Sequence, residues 1–392
     1  MIARAIIDRA TSGQWLGAGM RQRAVLLEVA RVVIVVAIAL ALSFMVILLV
    51  SKQPGEAFKQ FLTGAVGSRN RVSNWLAQAT TMTFTGLAVT LVFQARQFSL
   101  GAEGQLYLGA FMAGVMALHF PSNAVIVAAV AFIVAALIGF LYGLIPGYLK
   151  AYYGANEIVS TLMLNAIATA IYAFLLVQFL KPPGAGTNNS KVFAIFGPTG
   201  RLRPIIPDTQ ISVAAILAIL AAIFVHVLLY RTTFGYGLRM SGFNLRFAEY
   251  GGVNTRRTVM LVMAISGGIA GLAGAGLVLG TFGRVNAAPS AGYGFDGIVV
   301  ALLARNFPLA VIPAALFYSY LRVGADVMGQ STDVPFEMAN VIQAIIILLI
   351  SAEALTRWLR RRRSGHDELE LPPMSAPATI TSTATVPEKM AD

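Results

Sequence analysis

The feature of this sequence that most constrains its fold is a series of apolar segments, each about long enough to cross a bilayer. Ten such segments lie between polar or Pro/Gly-rich breaks, near residues 32–51, 80–94, 100–119, 123–148, 157–180, 211–230, 257–281, 287–304, 307–325 and 337–355. A helix needs about 20 residues to cross a hydrocarbon core of about 30 Å. Helices also satisfy their backbone polar groups internally, and the alternating segments of an outer-membrane barrel do not occur. We therefore predict an all-α fold, a polytopic transmembrane helix bundle of about ten membrane segments.

The composition agrees with a bilayer as the solvent. Hydrophobic residues make up 57% of the chain and charged residues only 12%, whereas charged residues form about a quarter of a typical soluble domain. The net charge of +12 could indicate nucleic-acid binding, but the basic residues flank apolar segments instead of forming an interleaved basic and aromatic face. We therefore expect contact with membrane lipid and no nucleic-acid partner.

The basic residues also predict an orientation. A basic leader at 1–30 and four arginines at 360–363 flank the apolar segments, and basic residues favour the cytoplasmic side. An even number of segments then places both termini in the cytoplasm. We predict one multi-pass domain at 31–358 with a cytoplasmic connection at 231–257. The basic run and a disordered, Pro-, Ser- and Thr-rich cytoplasmic tail would occupy 359–392.

The eighth apolar segment, 287–304, is predicted to be a half-helix or a re-entrant segment. One proline and three glycines interrupt it and leave only 298–304 as a clean apolar stretch. Irregular backbone at membrane depth is tolerated only beside a cavity or within protein. Asp296, at the mouth of this segment, is therefore expected either to line a solute pathway or to cap the half-helix.

Other polar side chains at the apolar segments could meet a polar solute, or could cap a helix or join two helices. Glu103 and Asn156 lie at helix starts, where each meets the positive N-terminus of its own helix. The residues that we predict to line a substrate pathway are Glu103, Asn156, Asn165, Tyr293, Phe295, Asp296 and Gln343. No ionisable residues pair obviously within the membrane, which disfavours a carrier coupled to an ion gradient.

Small residues recur every four positions on two segments. Gly139, Gly143 and Gly147 form one stripe, and Gly267, Gly271 and Ala275 form another. Stripes of this kind let neighbouring helix backbones approach closely. We predict tight helix packing at both.

The chain lacks the motifs of an enzyme. It has no G-x-x-x-x-G-K-[ST] sequence for phosphate binding, no H-E-x-x-H and no G-x-S-x-G, and its three histidines are far apart in the sequence. Cysteine is absent, which excludes thiolate metal sites and a cysteine nucleophile. We expect no catalytic residue, metal or cofactor on this chain, so any work driven by ATP and Mg²⁺ must come from a partner.

The longest predicted cytoplasmic connection, 231–257, is rich in Gly, Arg and aromatic residues. Its middle, 242–250, predicts a short amphipathic helix with Phe243, Phe247 and Tyr250 along one face. Such a face either lies on the lipid interface or docks into a soluble ATPase subunit. The residues that we predict to couple to an ATPase are Arg239, Arg246, Glu249 and Tyr250.

Four stretches together resemble a known family. They are GAEGQLYLGA at 101–110, ANEIVSTLMLN at 155–165, AEYGGVNTRR at 248–257 followed by ISGGIAGLAGA at 265–275, and GYGFDGIVVALLARNFPLA at 292–310. In this order they resemble bacterial ABC permeases of the ribose and branched-chain amino acid superfamily. The second and fourth stretches are similar to the larger permease subunit of nucleoside importers that are supplied by basic membrane lipoproteins.

The resemblance implies the membrane-spanning subunit of an ATP-driven nucleoside importer in the bacterial cytoplasmic (inner) membrane. It implies a second related permease subunit, a cytoplasmic ABC ATPase, and an extracytoplasmic lipoprotein or periplasmic solute receptor. A permease of the same superfamily that carries ribose-like sugars remains an alternative, and an ion-coupled secondary transporter is a third.

Overall fold

A computed structural model describes residues 41–205, 209–290 and 292–335, together with residues 338, 341, 344 and 345. Within them the α-helices are α1 (Ala41–Val50), α2 (Pro54–Thr63), α3 (Arg69–Gln94), α4 (Ala102–His119), α5 (Ala124–Tyr153), α6 (Glu157–Leu175), α7 (Val213–Arg231), α8 (Thr233–Phe243), α9 (Leu245–Tyr250), α10 (Thr255–Ala275), α11 (Tyr293–Leu303) and α12 (Val311–Ser331). Turns of π-helix, Leu176–Leu180 and Gly276–Phe282, extend α6 and α10. The leader 1–30, the tail 359–392, Gln343 and most of the tenth predicted segment lie outside the described residues.

The predicted all-α class is confirmed, since these ranges contain helices and no β-strand. Six helices among them are long and apolar enough to cross a membrane, namely Arg69–Gln94, Ala124–Tyr153, Glu157–Leu180, Val213–Arg231, Thr255–Phe282 and Pro308–Ser331. The chain is thus a multi-pass membrane protein. The larger number of about ten membrane segments stays a prediction.

The second predicted segment, 80–94, is shorter than the helix that contains it. Helix α3 begins at Arg69, after Ser68, whose hydroxyl accepts a hydrogen bond from the Arg71 amide at 3.3 Å. The added turns carry polar residues such as Ser73, which is buried inside the bundle. A hydropathy pattern read along the chain misses these turns because they carry several polar side chains, whether buried like Ser73 or exposed like Arg69.

Two long helices form the centre of the bundle. In α3, 78% of the most apolar stretch of 18 residues is buried, and in α10 with its π-helical extension the buried share is 83%. The corresponding fractions are only 28% for α5, 22% for α6 and 28% for α7, whose large apolar side chains remain exposed. Helices α5, α6 and α7 therefore lie at the outside of the described bundle, and α3 and α10 lie inside it.

The tight packing predicted for the two glycine stripes is confirmed, and the stripes face each other across α5 and α10. A Cβ atom placed on Gly139 would lie 2.2 Å from the Gly267 carbonyl oxygen, and one on Gly271 would lie 2.2 Å from the Ala135 oxygen. Gly109 on α4 meets the backbone of Gly271 from another side. Three helices therefore touch backbone to backbone, which only glycine allows.

A smaller apolar cluster joins the beginning and the end of the described chain. Ile47 on α1, Phe61 on α2 and Met328 on α12 are all fully buried in it. Just beyond α12, the Asp333 carboxylate accepts hydrogen bonds of 2.6 Å from the Ser51 hydroxyl and from the next backbone amide. These contacts hold α1, α2 and the end of α12 together.

Candidate functional site

Helix α11 is a half-helix, as the interrupted eighth segment predicts. It has 11 residues and is therefore about 16 Å long, roughly half of a hydrocarbon core. It follows Gly292, which has a φ of 87° and supplies no side-chain cap. The Ser290 hydroxyl accepts a hydrogen bond of 3.1 Å from the Tyr293 amide, and the next amide, that of Gly294, needs another acceptor.

Glu103 supplies that acceptor from a neighbouring helix. Its Oε2 atom accepts a hydrogen bond of 2.6 Å from the Gly294 amide, and its side chain is buried. A Cβ atom on Gly294 would lie 2.6 Å from the Glu103 Cα atom, so glycine is needed for this approach. Glu103 stands in the first turn of α4 and therefore meets two positive helix ends at once.

Asp296 does not cap the half-helix, in contrast to one of the two roles expected for it. Its carboxylate accepts a hydrogen bond of 2.5 Å from the Tyr318 hydroxyl and forms an ion pair with Arg322. Both partners lie on α12. Because Ser290 and Glu103 accept from the Tyr293 and Gly294 amides, Asp296 is available to join α11 to α12.

Arg322 is the centre of a polar cluster that the sequence analysis missed. Its guanidinium carbon lies 4.7 Å from the centre of the Tyr293 ring on α11. Asp326, one helical turn further along α12, lies on the same face of that helix as Arg322. The expectation that no ionisable groups pair within the membrane is therefore wrong.

A sequence signal for this cluster did exist. Arg322 and Asp326 are four residues apart on an otherwise apolar helix, which places them on one helical face. Charged residues within a membrane span mark functional sites by default. No group of three His, Asp or Glu that could hold a metal ion occurs in the described part of the chain.

The opposite face of α11 is open. Phe295 and Leu302 are 42% and 52% exposed, although both belong to a helix whose other side is buried against α3. Tyr293, by contrast, is buried. The half-helix thus presents an apolar face to the outside of this chain and a charged face to α12.

Two other predicted pathway residues have structural partners. The Asn165 side chain on α6 accepts a hydrogen bond of 2.9 Å from the Gly104 amide and donates one of 2.6 Å to the Leu100 carbonyl oxygen. The Asn156 side chain caps α6 by accepting from the amides of Ile158 and Val159. The structure therefore brings Glu103, Tyr293, Phe295 and Asp296 to one place, with Asn165 holding the start of α4 beside them and Asn156 at a separate helix end.

The predicted cytoplasmic connection contains two short helices in place of one. The predicted helix over 242–250 is broken at Asn244, whose extended backbone ends α8 and whose side chain caps α9 through a hydrogen bond of 3.1 Å from the Phe247 amide. Phe243, Phe247 and Tyr250 are nevertheless exposed, by 62%, 60% and 92%. The three aromatic side chains are therefore exposed, but two helices carry them.

The charged residues of this connection differ in what they contact. Arg239 stacks on the Tyr230 ring at 4.9 Å, and Glu249 accepts a hydrogen bond of 2.7 Å from the Thr255 hydroxyl at the start of α10. Arg246 is exposed on α9. Arg239 and Glu249 thus stabilise the connection itself, whereas Arg246 extends into solvent.

Helix α8 ends directly against the end of α3. A Cβ atom on Gly242 would lie 2.5 Å from the Gln94 carbonyl oxygen. The Gln94 side chain in turn donates a hydrogen bond of 2.7 Å to the Asn306 carbonyl oxygen, in the turn that joins α11 to α12. Arg305 and Asn306 have φ values of 52° and 56°, which residues other than glycine rarely adopt.

Comparison with known proteins agrees with this architecture. Residues 71–351 match the family described as the permease component of the branched-chain amino acid transport system. A guanosine ABC transporter permease protein of Bacillus subtilis is 32% identical over 83% of this chain and 94% of its own. A glucose ABC transporter permease protein of Haloferax volcanii is 30% identical over 86% and 91%, and a nucleoside ABC transporter permease protein of Lactococcus lactis is 27% identical over 82% and 92%. No solved structure matches the chain.

Proposed function

We propose that this chain, which belongs to the family of branched-chain amino acid transport system permease components, carries nucleosides across the bacterial cytoplasmic membrane. As a member of that family it is the permease component of an ABC importer and is not an enzyme. The observation that carries the nucleoside assignment is the 32% identity to a guanosine permease over 94% of that relative's length. A further nucleoside permease is similar over a comparable share of the chain.

A sugar is the second candidate solute, because a glucose permease is 30% identical over 86% of this chain. The complete importer, reconstituted in vesicles with its ATPase and solute-binding protein, separates the two. We expect ATP-dependent uptake of radiolabelled guanosine and none of glucose or ribose. Uptake of a sugar with no uptake of guanosine would contradict the nucleoside assignment and leave the permease role intact.

The polar cluster at the start of α11 is our proposed part of the solute pathway. A nucleoside combines a flat base, which can stack on an aromatic ring, with N–H and hydroxyl donors that suit carboxylate acceptors. Phe295 offers an exposed ring, and Glu103, Tyr293 and Asp296 surround the same helix start. Gln343 is proposed on sequence grounds alone. Asn165 and Asn156 support the helices beside this path.

Transport would be driven by a separate ATPase that uses ATP and Mg²⁺. The aromatic surface of Phe243, Phe247 and Tyr250, with the solvent-exposed Arg246, is our proposed contact for it. We expect Arg246→Glu to uncouple ATP hydrolysis from uptake, because a reversed charge at the rim of an interface repels its partner. Arg246→Lys is the matched control, since it keeps the positive charge at the same exposed position. Coupled uptake in Arg246→Glu equal to that of the control would contradict this contact.

The other partners follow the same reasoning. We propose a second, related permease subunit beside this one, and a lipoprotein or periplasmic receptor that docks at the end of the bundle opposite α8 and α9. Both termini would lie in the cytoplasm. Uptake by the purified chain alone, driven by an ion gradient without ATP, would instead support a secondary transporter.

A further inference from the structure

The ion pair between α11 and α12 is an unusual feature for a membrane-spanning helix. The Arg322 and Asp296 side chains are only 16% and 18% exposed. Ionisable groups in this position are costly and are retained where they serve a function. Neither stacking of a solute nor docking of an ATPase requires an ion pair between these two helices.

Helix α11 has its polar contacts at its first turn, and its later residues pack on α3, where Val300 and Ala301 are fully buried. Glu103 holds the Gly294 amide from α4, and Tyr318 and Arg322 hold Asp296 from α12. At its other end, α11 leads into the turn in which Arg305 and Asn306 have positive φ values. A half-helix of this kind can move as a unit in a transport cycle, and such a movement would carry α11 away from both α3 and α12.

Movement of α11 away from α12 would remove two partners from Arg322, namely the Asp296 carboxylate and the Tyr293 ring. A buried guanidinium without a carboxylate is strongly unfavourable. Asp326 is the available replacement, because it lies on the same helix as Arg322 at the i+4 position, where the two side chains can reach each other. Arg322 therefore keeps a carboxylate in either position of α11.

We propose that Arg322 transfers its ion pair from Asp296 to Asp326 when α11 moves, so that the pair is a latch on the solute pathway. This inference rests on the transport function proposed above and assigns roles to two residues, Arg322 and Asp326, outside the predicted pathway set. With the latch open, the Asp296 carboxylate becomes available to donor groups of the solute. With the latch closed, Asp296 is fully occupied by Tyr318 and Arg322.

The latch can be followed by thiol labelling, because the chain has no native cysteine. Ala301 lies on α11 and is fully buried, so the Ala301→Cys side chain reacts with a water-soluble maleimide only when α11 moves. The labelling is measured on the complete importer in vesicles, in the presence of its solute-binding protein and guanosine, once with ATP and once without. We expect ATP to accelerate the labelling.

Two neutralising variants should act in opposite directions. Asp326→Asn leaves Asp296 as the only carboxylate of Arg322, so ATP-stimulated labelling and uptake should each fall about tenfold. Asp296→Asn removes the closed pair, so labelling without ATP should rise. Asp326→Glu should restore the wild-type response, and Glu56→Gln, an exposed carboxylate on α2, should have no effect. If the ion pair is merely structural, both Asn variants should change the labelling in the same direction, and that result would overturn the proposal. Labelling of Asp326→Asn at the wild-type rate would also overturn it.

A cross-link provides a test that does not depend on these carboxylates. A Cβ atom on Gly86 of α3 would lie 3.4 Å from the Val300 Cβ atom on α11, close to the separation of about 3.5–4.5 Å in disulfides. Oxidation of Gly86→Cys with Val300→Cys should stop uptake, and a reductant should restore it. The control pair Phe140→Cys and Gly268→Cys, whose Cβ atoms would be 3.6 Å apart across α5 and α10, should not stop uptake.

The outcomes separate the two proposals. If guanosine is not taken up but ATP still accelerates the labelling, the solute assignment fails and the latch stands. If the oxidised Gly86 and Val300 pair transports guanosine normally, α11 does not move and the latch fails, while the nucleoside assignment stands.

Discussion

The contact between α5 and α10 makes a quantitative prediction about Gly267→Ala. The new Cβ atom would lie 2.2 Å from the Gly139 carbonyl oxygen, whereas an ordinary contact needs more than 3 Å. Backbone cannot turn aside as a side chain can, so the two helices must separate by about 1 Å. A gap of that size removes about a quarter to a half of each dispersion contact along the interface. We expect a loss of about 1–3 kcal/mol, the usual cost of overpacking.

Gly268→Ala is the matched control on the same helix. Its Cβ atom would lie 3.2 Å from the Ala136 carbonyl oxygen, a contact that a shift of a few tenths of an ångström relieves. Both variants gain the same helix propensity, about 1 kcal/mol, so their difference isolates the steric clash. The assay is the free energy of unfolding of the purified protein in mixed micelles. Equal stability of the two variants would refute the claim that these backbones touch.

Three further predictions concern single side chains. Glu103→Ala should destabilise the protein by about 1–3 kcal/mol, because it leaves the Gly294 amide buried without an acceptor. Glu103→Gln keeps an acceptor and should keep most of the stability. Equal unfolding free energies of the two variants would contradict the capping role. Asn165→Ala should cost a similar amount by leaving two backbone groups unpaired, with an unchanged KM for uptake, and a raised KM would instead place Asn165 on the solute. The Ser51 hydroxyl holds the pKa of Asp333 below its usual value, so the contact between α1 and the end of α12 should persist as the pH falls below about 4 and should open only at the lower folded-state pKa. Hydrogen exchange of the backbone amides beside Asp333 as a function of pH measures this, and opening already above pH 4 would contradict it.

Local periodicity was sufficient to predict much of the bundle. The stripes of Gly139 and Gly267 recur at the four-residue spacing of one helical face, so their tight packing followed from the sequence alone. The interruption of α11 was visible for a similar reason, since proline and glycine disfavour helix wherever they occur. Helix starts at Ala102 and Glu157 were predicted to within a few residues, because charged or capping residues mark them.

The features that the sequence analysis missed depend on contacts between distant residues. Asp296 and Arg322 are on different helices, and their pairing follows from how α11 packs on α12. The acceptor for the Gly294 amide is likewise Glu103 on another helix. The sequence analysis had considered only Asp296, which is close to Gly294 in the chain, as a cap for this helix. The early start of α3 was hidden because the hydrophobicity of a segment does not reveal whether its polar face meets lipid or protein.

The contact of Gly242 with the end of α3 has a mechanical consequence. With no side chain between the two backbones, a displacement of α8 cannot be absorbed by a rotamer change and acts on α3 as on a rigid rod. Gln94 connects α8 to a second neighbour. Its backbone carbonyl oxygen lies against Gly242, and its side-chain amide donates a hydrogen bond to Asn306 in the turn before α12. An ATPase that moves α8 by an ångström would therefore pull on the far end of the half-helix without acting through any flexible loop.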